Sequence, residues 1–171
     1  MDRIIRVGLG LALLWGLTAD AGAEPLYRGM KVDPQGNGPQ VARSNLGLGV
    51  RPSDVIPGPD GTIPTTEPGT DSPQGTSVVA GDPCTLPAFS RPADKGWNGT
   101  GGPHVRVWVL DTAELPAKLT YRPAPTPSIP NHGVIGPAQD GRETLDSLDT
   151  DIASTAPRWQ VREAPPAACP P

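Results

Sequence analysis

The chain has 171 residues, of which 21 are Gly and 24 are Pro, about a quarter of the whole. That share points away from an ordinary globular enzyme, and the lack of a Gly-X-Y period excludes a collagen. With 36% hydrophobic residues and a formal net charge of −4, the chain is not a polytopic membrane protein, a coiled coil or a strongly basic nucleic-acid binder.

Residues 1–23 read as a secretory signal peptide. Arg3 and Arg6 supply the positive end, and Val7 to Thr18 give an apolar stretch too short for a bilayer span. Ala21-Gly22-Ala23 then offers small residues for cleavage before Glu24. The remaining 148 residues hold 17 Gly and 24 Pro, and only 26 are Leu, Ile, Val or Phe. Such a chain supports one small domain with a thin core. No later apolar run is long enough to span, so a secreted or periplasmic protein is expected, with no membrane contact once the leader is removed.

Cys84 and Cys169 are expected to pair, because disulfides form and persist in exported chains. The bridge would close a loop of about 85 residues, contributing roughly 4–5 kcal/mol in the chain-entropy model. A metal site needs more ligands than two Cys with His104 or His132 can supply, so no metal is assigned. The setting Ala168-Cys169-Pro170 gives no local reason for a nucleophile.

In chain order, Pro25 to Val32 alternates as a strand, and residues 33–40 carry turn chemistry. Ser44 to Val50 reads as a short turn, and from Pro52 to Gln74 frequent Pro and Gly predict loop. Gly75 to Val79 switches to β-branched residues, a second strand. The clearest strand is Val105 to Leu110, with Val105, Val107 and Val109 on one face and Arg106, Trp108 and Leu110 on the other, a pattern that suggests burial on both sides. A further strand is expected within Leu115–Arg122, beyond Pro116, and then a Pro-rich connector over 123–130. Arg142 to Thr155 predicts one helix, with Leu145, Leu148 and Ile152 on one face and Pro157 as its stop. Arg158 to Arg162 alternates and closes the sheet before a disordered tail. The sum is a small α+β domain with short strands and long loops.

The common catalytic signatures are absent: there is no P-loop, Gly-x-Ser-x-Gly, His-Glu-x-x-His, Cys-x-x-Cys or EF-hand loop. A grouping of Ser77, His132 and Asp111 can be drawn on paper but carries no weight. Asn98-Gly99-Thr100 fits a glycosylation acceptor, relevant only in a eukaryotic host. Trp97, Trp108 and Trp159 are expected in the core.

Three motifs are distinctive together: Leu26-Tyr27-Arg28-Gly29, Gly75-Thr76-Ser77-Val78 and Asn131-His132-Gly133-Val134-Ile135. With Gly49-Val50-Arg51-Pro52-Ser53-Asp54-Val55, Leu86-Pro87, Arg91-Pro92, Val107-Trp108, His132 to Pro137 and Trp159, the ordered set resembles the ADP-ribosyltransferase-fold toxins typified by a Pseudomonas type VI secretion effector. The resemblance covers roughly residues 25–160. It implies a split β-sheet holding NAD as substrate in a cleft, one main C-terminal helix and long Pro/Gly-rich loops. It places Arg28 on the pyrophosphate, Thr76 and Ser77 at the nicotinamide ribose, and His132 with Ser77 at the reacting end. It also implies an unknown macromolecular target and an immunity protein as partner, with no nucleic acid implied. The toxin domain would occupy 24–163 and a Pro-rich tail 164–171.

Each site residue also has a structural reading. Arg28 can serve a surface carboxylate, Thr76 and Ser77 can follow strand and turn propensity, and His132 can bond the turn it starts. The Gln/Glu-x-Glu pattern of ADP-ribosyltransferases has no match, Glu163 missing it by one residue. A non-enzymatic secreted or cell-envelope binding protein on the same scaffold is therefore the alternative expectation.

Overall fold

The computed structural model describes residues 23–170; residues 1–22 of the expected signal peptide lie outside them. Six strands form one antiparallel sheet: β1 (Pro25–Lys31), β2 (Thr76–Ala80), β3 (Val105–Asp111), β4 (Leu119–Pro123), β5 (His132–Pro137) and β6 (Gln160–Arg162). Their spatial order is β4-β5-β2-β1-β3-β6. One helix, α1 (Leu145–Ala153), precedes β6. The protein is therefore α+β, with the strand expectations met except for β5, which the sequence did not reveal.

Alternation along the strands explains why both faces of the sheet are covered. Leu26, Met30, Val78, Ala80, Trp108 and Leu110 face a main core with Leu48, Val50, Val55 and Ile63 from the long loops and Leu148 and Ile152 from α1. Tyr27, Val79 and Val107 face a second, smaller core with Leu86, Trp97 and Cys169. Each buried Trp ring nitrogen finds an acceptor: Trp97 the carbonyl of Glu163, Trp108 that of Met30, and Trp159 the hydroxyl of Thr155. Fully burying one such apolar side chain is worth about 1.5–3 kcal/mol, so two small cores can hold this loop-rich chain.

α1 is shorter than its sequence pattern. Thr144 caps it by accepting from the Ser147 amide at 3.2 Å, and a single-turn 3-10 helix containing Pro157 follows it. The Pro/Gly-rich stretch of 52–74 is ordered by Gln74, a buried side chain that donates to the carbonyls of Ile56, Pro64 and Thr66 and accepts from the Ile56 amide. These bonds satisfy backbone groups that have few ladder partners.

Two expectations need correction. The sheet is not split into two separate sheets, because Leu26↔Ala80 and Tyr27↔Val79 join β1 to β2. Nor is the tail free from residue 164 onward. Cys84 and Cys169 form a disulfide with Cα atoms 5.2 Å apart, and the Cys169 amide donates to the Gly96 carbonyl at 2.8 Å. Burial of Cys169 in the second core is what fixes the tail. Among the described residues no helix is long and apolar enough to cross a membrane.

Candidate functional site

β1 pairs with β3 over seven positions but with β2 over only two. Beyond Tyr27↔Val79 the two central strands part, and a cleft of about 180 Å³ opens there. Gly29, Ser77 to Val79 and His132 line it from the sheet, Leu86, Pro87, Phe89 and Ser90 from the segment after β2, and Ile129 from the connector into β5. Asn45, Arg51 and Asp54 come from the long loops between β1 and β2. Gly29 is required where it stands, since a Cβ there would collide with the backbone carbonyl of Ser90.

Three of the four residues expected at the site meet in this cleft: Arg28, Ser77 and His132. Thr76 does not line it. It is fully buried, and its hydroxyl donates to the Gly49 carbonyl at 2.9 Å. Neighbouring strand residues face opposite sides, so Thr76 and Ser77 cannot share one surface of β2. Glu163 is also elsewhere, exposed and ion-paired with Lys95.

Arg28 is not the surface ion-pair partner that its type suggests. Its guanidinium is buried, and Nε and Nη2 donate to the Gly47 carbonyl at 3.2 and 3.0 Å while Nη1 donates to the Ser77 carbonyl. Arg28 has no ion pair among the described residues. Burial pushes its pKa down to about 10, with Asp54 opposing the shift and Arg51 adding to it. It stays charged at neutral pH, a desolvated cation hydrogen-bonded only to carbonyl oxygens, with Asp54 the nearby carboxylate that favours its charge.

Arg51 is different. It grips Asp54 through Nε–Oδ2 at 2.8 Å and Nη2–Oδ1 at 2.5 Å, a two-pronged pair three residues apart, and Nη1 also donates to Asn45. Hydrogen bonding to Asp54 holds the Arg51 pKa above its ordinary value. Among the described residues Asp54 is the sole carboxylate lining the cleft, so two guanidiniums face one carboxylate and this lining carries a net positive charge.

His132 Nδ1 lies 2.8 Å from the Ala124 carbonyl, which accepts only if that nitrogen carries the proton. In the neutral ring Nε2 is then the proton acceptor; the bond that orients the ring runs to Ala124, eight residues earlier, and not to a turn begun by His132, which opens β5. Phe89, the only Phe of the chain, is 48% exposed at the cleft. Sequence reasoning assigned no role to Phe89, Ile129, Asn45 or Asp54. The spacing Arg51-x-x-Asp54 and a lone Phe in a Pro-rich segment were the available signals. Among the described residues no group of three or more His, Cys, Asp or Glu side chains is arranged to hold a metal. In comparison with known proteins, the chain matches no family model, no curated protein and no solved structure.

Proposed function

We propose that the cleft between β1 and β2 binds NAD as a substrate and that the protein transfers ADP-ribose to a macromolecular acceptor, as an exported toxin-like enzyme. The observation that carries this reading is the meeting of Arg28, Ser77 and His132 where the central strands part. A buried guanidinium in no ion pair is a ready partner for a pyrophosphate, because an arriving anion adds to the partial compensation that Asp54 gives at longer range. Ser77 lines the cleft, and its hydroxyl would bond a ribose hydroxyl there. In the transfer, the bond between the ribose and the nicotinamide nitrogen breaks and nicotinamide leaves with the electron pair. The acceptor's nucleophile bonds the ribose carbon and yields its proton to His132 Nε2. Residues 164–170 belong with the domain, since Cys169 completes its second core.

Calorimetric titration with NAD and an assay for labelled ADP-ribose transfer test the proposal. Micromolar to millimolar NAD binding with transfer to a cell-extract acceptor is expected. A protein that neither binds NAD nor transfers the label removes the reading. One observation favours a second function, binding without turnover: among the described residues no Glu lines the cleft, and the one carboxylate there is held by Arg51. NAD binding without transfer or hydrolysis identifies that case.

A further inference from the structure

The cleft and the second core share Val79, Leu86 and Ile129. Cys169, 2% exposed, closes that core, and its disulfide partner Cys84 stands two residues before Leu86. The segment 83–101, which supplies one wall of the cleft, holds only two single-turn 3-10 helices and no strand of the sheet. Among the described residues, its hydrogen bonds to distant parts of the chain all run to Glu163 and the tail beyond it. The Cys169 amide reaches Gly96 at 2.8 Å, Asn98 Nδ2 reaches the Cys169 carbonyl at 2.5 Å, Arg91 Nη1 reaches Pro170 at 3.3 Å, and Trp97 Nε1 reaches Glu163 at 3.3 Å. Lys95 adds its ion pair with Glu163. The far part of the wall, 91–98, is thus fastened to Glu163 and the tail, and the tail is fastened covalently at Cys84, the root of the wall just after β2. The main core, by contrast, is built from paired strands, α1 and the 48–63 loop with no contribution from either Cys.

We propose that the Cys84–Cys169 disulfide is a redox latch on the cleft. Oxidised, it holds the 83–101 wall against β1; reduced, it releases wall and tail together while the sheet and α1 persist. The reductant is a dithiol. One of its thiolates attacks the half-buried sulfur of Cys84, the Sγ–Sγ bond breaks, and Cys169 leaves as a thiolate that takes a proton. The second thiol of the reductant then displaces Cys84, which leaves as a thiol, and the reductant ends as its own disulfide. The latch makes the cleft competent in an oxidising compartment and loosens it in a reducing one. Its ligand-binding consequence rests on the NAD reading above.

Hydrogen exchange with mass spectrometry on the disulfide-bonded protein, before and after dithiothreitol, tests the latch. Reduction is expected to speed exchange at least about tenfold over 83–101 and 164–170 and to leave 76–80, 105–111 and 145–153 unchanged. The Kd for NAD is expected to rise at least about tenfold, and a Cys84→Ser/Cys169→Ser variant to behave the same way without reductant. Unchanged protection over 83–101 overturns the proposal. So does loss of protection across the sheet, which makes the disulfide a staple of the whole domain. If the oxidised protein binds no NAD, the nucleotide reading fails, and the exchange pattern alone still decides the latch.

Discussion

Arg28 donates from both Nε and Nη2 to a single carbonyl oxygen, that of Gly47, at 3.2 and 3.0 Å. This fork anchors a strand-borne cation to the loop after β1, and the Nη1 bond to Ser77 spans the gap to β2. A lysine has the charge but not the planar fork. Arg28→Lys is therefore expected to weaken NAD binding by at least tenfold, through loss of about 1.5–3 kcal/mol of charge-assisted bonding. Titration calorimetry reads the affinity, and circular dichroism shows whether the fold survives.

Thr76 and Ser77 are adjacent in sequence but differ in what their side chains meet. Thr76→Val keeps the shape and removes the bond to Gly49, so it should cost about 1 kcal/mol of stability and leave NAD affinity unchanged. Ser77→Ala should do the reverse, lowering affinity with little change in the urea midpoint. If Thr76→Val weakens binding as much as Ser77→Ala does, the cleft described by these residues is not the ligand site.

Gly29 permits the close approach of β1 to Ser90. Gly29→Ala forces the wall away from the strand and is expected to destabilise by about 1–3 kcal/mol, as overpacking does. Urea denaturation measures the loss, and NAD affinity should fall with it because Ser90 lines the cleft.

Gln74 ties together from within a loop that is otherwise held by the burial of Val55 and Ile63 and by backbone bonds such as Ile63 to Glu143. Gln74→Ala removes its bonds to Ile56, Pro64 and Thr66 and leaves their backbone groups without that partner. A loss of about 2–4 kcal/mol is expected, given roughly 1 kcal/mol or more for each bond. Limited proteolysis should show new cuts between 56 and 73 before any cut in the strands.

Acid should loosen the exposed loops. Hydrogen bonds from Thr62 hold the Asp60 pKa below its ordinary 3.8, bonds from Thr65 do the same for Asp140, and Lys95 lowers Glu163 below 4.5. A carboxylate whose folded pKa is depressed stabilises the fold above its unfolded pKa and stops doing so as pH falls through the folded value. Stability is thus expected to be flat from pH 7 to 5 and to decline below roughly pH 4. Hydrogen exchange over 60–67 and 160–170 as a function of pH checks this; a decline that begins near pH 6 contradicts it.

Local chemistry in the sequence was enough for most elements. The alternation of Val105 to Leu110 requires two buried faces, and the two cores supply them. Leu148 and Ile152 sit four residues apart on the buried side of α1. The paired cysteines followed from counting and compartment, and the excess of Gly and Pro fell into the loops between strands.

β5 was not legible, because His132-Gly133-Val134-Ile135-Gly136-Pro137 carries two Gly and a Pro, the punctuation of a turn. It is a strand because β4 and β2 pair with it on both sides, and Gly136 must lack a side chain where the Gln74 backbone passes. Burial of Arg28 was hidden for a similar reason. A charged side chain on an alternating strand reads as exposed until the carbonyls of Gly47 and Ser77, distant in sequence, are placed around it. The opposite facing of Thr76 and Ser77, by contrast, was already implied by the period of two. Sequence alone therefore determined every strand but β5, the helix and the loops, since these depend on neighbours along the chain, and it paired the cysteines because there are only two. Tertiary structure decided the early parting of β1 from β2, the cation held in the gap and the covalent fastening of the cleft wall, because each depends on groups that only folding brings together.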